Sequence, residues 1–376
     1  MKGQFSKTIT FLMMAIFCFS LFAEEERSLG KSPRGLLMGD AYTSLADDDF
    51  SLFYNPALLA RHSGFSFYPL NPAFSVVNVL AEPDKFNDMG ETPTEIAGVI
   101  FDFPVHIGVD YAPGFKMGRF GLTALVNYNT NFNLQNQITP ALDIDHRFDR
   151  GFVAGYGMPI FGNYKSGSSG TQLAAGVAVK YIQREAIYGS YNLTGYSLLD
   201  ALSAGDADTI LESLGKINGN GWGFDAGFDY VTSSGAQTFS ASLALLDIYT
   251  LMHTESNEGD LKVQDQPMRV HFGTAYTASA PGGFDFTLSA DIKHLEQQME
   301  LMRRLHLGVE LNLTPAISVL AGLSAVDNYS YGVKFDMAIA KVYLGLYTSE
   351  IGEKLQQQES NRFLLYISLL DFTFEP

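Results

Sequence analysis

The residues with the strongest chemistry in this chain are dispersed. The seven histidines His62, His106, His146, His253, His271, His294 and His306 share no HExxH or HxxxH spacing, so no helix face presents two imidazoles to a metal. No GxSxG turn presents a nucleophilic serine. Gly219-Asn220-Gly221-Trp222-Gly223 leads into alternating residues rather than a helix, which a phosphate-cradling loop requires. The expectation is a protein that is not an enzyme, with no cofactor and no metal. The spacings that remain suggest non-covalent binding. Lys180 and Arg184 fall on one face of one alternating segment, as a cationic anchor for a carboxylate ligand or as partners for Asp285, Asp291 or Glu310. Leu198, Leu199 and Leu202, then Ile210, Leu211, Leu214 and Ile217, recur at helical spacing, and Leu251 and Met252 follow in the next long connection. Such sets capture a greasy solute or pack on one another.

The elements that position these residues are strands. Phe120, Leu122, Ala124, Val126 and Tyr128 alternate with Gly121, Thr123 and Asn127, with Leu125 the exception. Leu173 to Tyr181, Trp222 to Tyr230 and Phe284 to Ile292 repeat the pattern. One face suits hydrocarbon and the other is small or polar, as the exterior and lumen of a membrane barrel require. About fourteen such segments lie between Ser63 and Phe374. Their connections alternate between short turns and long loops, the long series including 131–147, 185–220 and 250–266.

Composition agrees with that class. Aromatic residues make up 13% and charged residues 17%, below the roughly 25% charge of ordinary globular domains. The balance of 24 Lys and Arg against 41 Asp and Glu gives −17, which argues against nucleic-acid partners. Lys2 and Lys7, the apolar run Ile9 to Phe22 and Ala23 read as a secretory signal over 1–23, whose removal takes the charge to about −19. Cys18 inside that run raises lipidation as an alternative, but bulky Phe17 stands where a lipoprotein signal wants a small residue. A secreted β-sandwich or propeller is the competing architecture, although its solvent face would carry more Lys and Glu.

Between signal and strands lies one segment of a different kind, reading GLLMGDAYTSLADDDFSLFYNPALLA from Gly35 to Ala60. Met38 to Leu45 is compatible with a short helix, Ala46-Asp47-Asp48-Asp49 favours its end, and Pro56 drives Asn55 to an extended conformation. Small residues ahead of a strand series suit packing inside a barrel. The pattern of Gly39, Asp40 and Ala41, then Ala46, Asp47 and Asp48, then Asn55, Pro56 and Ala57 resembles the plug of the FadL-type long-chain fatty acid transporters. It is similar, more broadly, to that of their uncharacterised spirochaete-like relatives and of PorV-type secretion proteins.

That resemblance implies a 14-stranded transmembrane β-barrel with an N-terminal hatch at 24–62 and a barrel domain at 63–376. It also implies a capture groove formed by the helical external loop 185–220 and the loop 250–266. The resulting expectation is an outer-membrane channel for passive uptake of hydrophobic molecules such as long-chain fatty acids. The alternative is a plugged barrel serving as a protein-binding, secretion-associated scaffold.

Overall fold

The computed structural model describes residues 28–78, 104–135, 141–165, 168–192, 214–256, 262–280, 284–325, 327–337, 339–351 and 359–374. Its strands begin with two short pairs, β1 (Phe65–Tyr68) with β2 (Pro72–Val77), and β3 (Val105–Tyr111) with β4 (Gly114–Met117). Five long strands follow: β5 (Phe120–Gln135), β6 (Ala141–Gly162), β7 (Gly170–Asn192), β8 (Ile217–Ser234) and β9 (Gln237–Ser256). Then come β10 (Arg269–Ala280), β11 (Phe284–Ile292), β12 (Leu305–Thr314), β13 (Ile317–Ser324), β14 (Asn328–Met337) and β15 (Ala340–Glu350). The chain returns through β16 (Glu359–Leu369) and β17 (Phe372–Phe374). All pairings are antiparallel, and β16 with β2 and β17 with β1 close the ring. The pairs β1/β2, β3/β4 and β16/β17 are each one interrupted stave, so the wall is a closed 14-stranded barrel.

The alternation read from the sequence sets the two faces of this wall. Gly121, Thr123, Leu125 and Asn127 of β5 point inward and are buried, while Tyr128 of the opposite set is exposed. On β6 the outward residues Phe152, Tyr156, Met158 and Ile160 are exposed, and Arg150 above them pairs with Glu185 at 2.5 Å. Just below this charge pair, Tyr181 and Phe152 meet Trp222 at ring distances of 5.0 and 6.0 Å. Apolar residues below an aromatic cluster and a charged rim above it mark the edge of a membrane-embedded belt.

The wall is uneven in height. The strands β5 to β9 run 16 to 23 residues, whereas β11 to β14 run 8 to 10. A strand needs about 9–11 residues to cross a bilayer, so β5 to β9 continue well past it on the loop side. Several expected loops are strand for this reason. Strand β5 reaches Gln135 and β6 starts at Ala141, which shortens the expected loop 131–147. Likewise 185–192, 217–220 and 250–256 belong to β7, β8 and β9. On the turn side the links are tight, and Gly118 and Gly235 enter two-residue hairpins at φ 55 and 62°.

The N-terminal segment folds without strands. Pro33–Leu37 is one helical turn capped by Ser32, whose Oγ accepts from Gly35 N–H at 3.2 Å. Ser51–Tyr54 is a second turn, and Pro56–Arg61 is a 3-10 turn. The helix expected over Met38 to Leu45 does not form. Gly39 and Asp40 there take φ of 63 and 60°, the left-handed region that ends a helix.

Candidate functional site

Residues 28–62 lie inside the barrel and touch inward side chains around most of its circumference. Arg61 donates to both oxygens of Asp229 on β8 at 2.8 and 2.5 Å. Arg34 donates to Glu310 on β12 at 2.8 and 2.5 Å and to Asp47 at 2.8 Å. Asp291 on β11 accepts from the N–H groups of Tyr42 and Thr43 at 2.9 and 2.8 Å. Asp40 accepts from Tyr54 Oη at 2.7 Å and pairs with Lys293. These partners come from the polar set of the strand alternation, so the face unsuited to lipid is the face that binds the segment.

Close approach of backbone to wall depends on inward glycines. A Cβ on Gly322 of β13 would fall 1.9 Å from Gly39 N, and one on Gly176 of β7 would fall 2.3 Å from Ala57 N. Gly322 pairs in register with Gly308, and Gly176 with Gly157 and Gly227, so the notches extend across neighbouring strands. The notches escape a sequence reading because a glycine among inward polar residues looks like any small lumenal residue.

The expected segment residues are placed as follows. Asn55 is extended at φ −163°; its side chain accepts from Ala57 N–H at 3.0 Å and donates to Phe228 O at 3.3 Å. Pro56 opens the 3-10 turn, and Ala46 and Ala57 are buried. Asp47 faces the turn side beside Arg34. Asp48 accepts from Ser32 Oγ, Tyr42 Oη and Phe50 N–H. Burial pushes the Asp48 carboxyl above the usual carboxylate range, with the charge of Asp47 adding to the effect.

The lumen is divided into two chambers by this segment. The loop-side chamber, about 310 Å³, is floored by Lys31, Leu36, Gly39 and Asp40. Arg147, Arg184, Arg269, Arg303, His294 and His306 line its sides, with Leu36, Pro267, Met299 and Ala325 as apolar lining and Asp265 and Glu350 as further acids. The turn-side chamber, about 510 Å³, meets Asp47, Asp48 and Asp49 of the segment and Lys116, Lys334 and Lys341 of the wall.

Lys180 and Arg184 are both engaged by wall carboxylates, the pairing that stood as the alternative to a ligand anchor, and Arg184 also lines the loop-side chamber. Lys180 Nζ lies 2.8 Å from Asp225 and 2.6 Å from Asp247, with the lysine fully buried. Arg184 donates to both oxygens of Asp149 at 2.7 and 3.0 Å, and further to Gln264 O and Gln266. The partners are not Asp285, Asp291 or Glu310, because nearer inward acids stand on the adjoining strands β6 and β8 and on β9 one strand further. Asp149 also pairs with Arg147 at 3.0 Å, so two guanidiniums share one carboxylate. Asp247 reaches Lys180 and Arg269 through a bulge: Asp247 and Tyr249 take φ of 57 and 56° where the register with β8 shifts. Consecutive buried Leu246 and Asp247 break the alternation, which is the trace this feature leaves in the sequence.

Leu251 and Met252 belong to β9 and not to a loop, and they face opposite ways. Leu251 stands outward opposite Trp222, while Met252 packs with Ala186, Ile217 and Val263. Leu214 lies in a turn whose carbonyl accepts from Tyr191 Oη. Leu198, Leu199, Leu202, Ile210 and Leu211 lie outside the described residues.

No family model and no curated protein matches this chain. Among solved structures it is similar to the CymD monoaromatic hydrocarbon channel, at 10% identity over 93% of this chain and 99% of that one, with a TM-score of 0.47. The toluene transporter TodX of Pseudomonas putida gives 12% identity, 92% and 99% coverage and a TM-score of 0.44. A FadL homologue of Pseudomonas aeruginosa gives 9% identity, 92% and 99% coverage and a TM-score of 0.44.

Proposed function

We propose that this chain is an outer-membrane channel for passive uptake of hydrophobic molecules with an anionic head, long-chain fatty acids among them, and that residues 28–62 are its gate. The observation that carries the reading is the loop-side chamber. It sets Leu36, Pro267, Met299 and Ala325 against four arginines directly above the segment that fills the lumen. A carboxylate is the natural partner of guanidinium groups, and apolar lining beside them serves a tail. A plug seated below such a chamber stops water and ions from leaking through while it is in place. Uptake then requires the segment to shift, and no covalent chemistry is involved.

The apolar sets at Leu198, Leu199, Leu202, Ile210, Leu211 and Leu214 complete the reading as collectors of the tail. Replacing Leu211 and Leu214 with Ser is expected to weaken fatty-acid binding about tenfold, on the scale of one buried apolar side chain. The direct test is uptake by vesicles carrying the full-length protein, comparing a long-chain fatty acid with the alcohol of the same chain length. Faster entry of the acid supports the reading. Equal entry removes the arginines from the mechanism, and entry of neither removes the channel.

A second reading, a protein-binding scaffold, is favoured by the tall wall of β5 to β9, which offers strand surface beyond the membrane. Purification in mild detergent separates the two: a stoichiometric protein partner supports the scaffold, and bound lipid supports the channel.

A further inference from the structure

The three interrupted staves of the barrel are neighbours, and they break at one height. Strand β1 gives way to β2 at 69–71, β3 to β4 at 112–113, and β16 to β17 at 370–371, where Leu370 takes φ of 58°. Their order around the wall is β16/β17, then β1/β2, then β3/β4. The ladder thins at that height to single backbone bonds, such as Leu369 N–H to Leu70 O at 2.7 Å and Ala124 N–H to Pro113 O at 2.8 Å, and the Asn71 side chain adds to them. Its Nδ2 donates to Ala112 O at 2.9 Å, and its Oδ1 accepts from Ala112 N–H at 3.3 Å.

One carboxylate of the N-terminal segment reaches this seam. Asp49, 4% exposed, accepts a hydrogen bond from Asn71 Nδ2 and another from Tyr366 Oη of β16 at 2.9 Å. It therefore binds two of the three interrupted staves at once. Its charge is poorly compensated: Asp48 is next to it on the same segment, and Lys116 of β4 and Lys341 of β15 are the cations that face it. Those two lysines already serve others, Lys116 donating to Asp47 O at 2.6 Å and Lys341 pairing with Asp371 at 2.7 Å. The phenols of Tyr68 on β1 and Tyr366 complete the titratable groups around it.

We propose that Asp49 is a proton-sensitive latch that fastens the plug to the broken seam of the wall, so that the proton concentration on the turn side sets how firmly the plug is held. This rests on the reading of residues 28–62 as a gate. Burial first, and the charge of Asp48 second, push the Asp49 carboxyl from 3.8 up to about 7 against the opposing hydrogen bonds of Tyr366 and Asn71. A carboxyl that holds its proton more tightly when docked than when solvated makes docking a proton-binding step. Docking is tightest at or below about pH 4, weakens as pH rises towards 7, and stays at its weaker level above that.

The test is single-channel recording of the full-length protein in planar bilayers between pH 5 and 8, with heat-modifiable gel migration confirming an assembled barrel. The parent channel should open about tenfold more often at pH 7.5 than at pH 5, a conservative fraction of the shift. Asp49→Asn, uncharged at every pH, should stay at the low-pH level throughout. Tyr366→Phe removes a donor to the ionised carboxylate and should move the response to higher pH. A parent with no pH response, an Asp49→Asn channel that responds like the parent, or an unmoved Tyr366→Phe response would each overturn the latch. Deleting Leu36 to Ala60 separates the two readings. Raised conductance at every pH upholds the gate whatever becomes of the latch, and unchanged conductance removes the gate itself.

Discussion

The two chambers on either side of the N-terminal segment are built from the same kinds of residue in opposite order. On the loop side the cations face the space and their carboxylates stand behind them, with Asp149 behind Arg147 and Arg184, and Asp247 behind Arg269. On the turn side the carboxylates Asp47, Asp48 and Asp49 face the space from the segment, and the wall brings lysines to them. The difference teaches what each end can respond to. Guanidiniums keep their charge at any physiological pH, so the loop side offers fixed donors to an incoming anion. Burial, and then the charge of Asp48, push the Asp49 carboxyl up to about 7, so the turn side offers a response to protons.

The comparison breaks most completely if the partition itself is removed. Deleting Leu36 to Ala60 should leave an assembled barrel whose conductance rises at least tenfold, since the two chambers then form one water-filled lumen. Conductance equal to the parent would place the barrier elsewhere.

Next in size is the loop-side arrangement of cations in front of carboxylates. Asp149→Ala leaves Arg147 and Arg184 without their shared carboxylate in a buried site, a change expected to cost about 3–5 kcal/mol. Unfolding of the detergent-solubilised barrel in urea measures it. A loss below about 1 kcal/mol would show that water in the chamber compensates both guanidiniums.

Much of this architecture was legible from side-chain types. The alternation of Trp222 to Tyr230 and of Phe284 to Ile292 reports strands with one aromatic, apolar face and one small or polar face. The scarcity of Lys and Glu on the second face favours a lumen over a sandwich's solvent face. Asn55-Pro56 likewise announces its extended backbone, because proline restricts the residue before it. Strand length was not legible on the loop side, where both faces meet water and the alternation fades; 185–192 and 250–256 read as loop and are strand. The partners of Lys180 and Arg184 were hidden for another reason. Choosing among inward acids needs the register between strands, and the bulge at Asp247 alters it locally. The notches at Gly176 and Gly322 take their meaning from what sits opposite them, 119 and 283 residues away at Ala57 and Gly39.

The smallest predicted effect sharpens the comparison of charges. Arg303→Gln on the loop side should weaken binding of a fluorescent fatty acid about threefold, a partly exposed cation contributing roughly 0–1 kcal/mol. Lys334→Gln in the turn-side chamber, where Lys334 lies 3.3 Å from Asp336, should leave that binding unchanged. Equal losses from the two substitutions would mean that the anion does not distinguish the chambers.

The central claim, that the N-terminal segment sits in the barrel and must move for uptake, is tested most directly by tethering it to the wall. A Cβ on Gly227 would lie 3.0 Å from Asn55 Cγ, so Asn55→Cys with Gly227→Cys places two thiols within reach of a disulfide. The only native cysteine is Cys18, within the sequence expected to be removed as a signal, so Cys18→Ser leaves the new pair unambiguous. The prediction is a bridge that forms on oxidation, stops fatty-acid uptake into vesicles, and restores it on reduction. A pair that does not bridge, or a bridged channel that takes up fatty acid at the parent rate, would contradict the account.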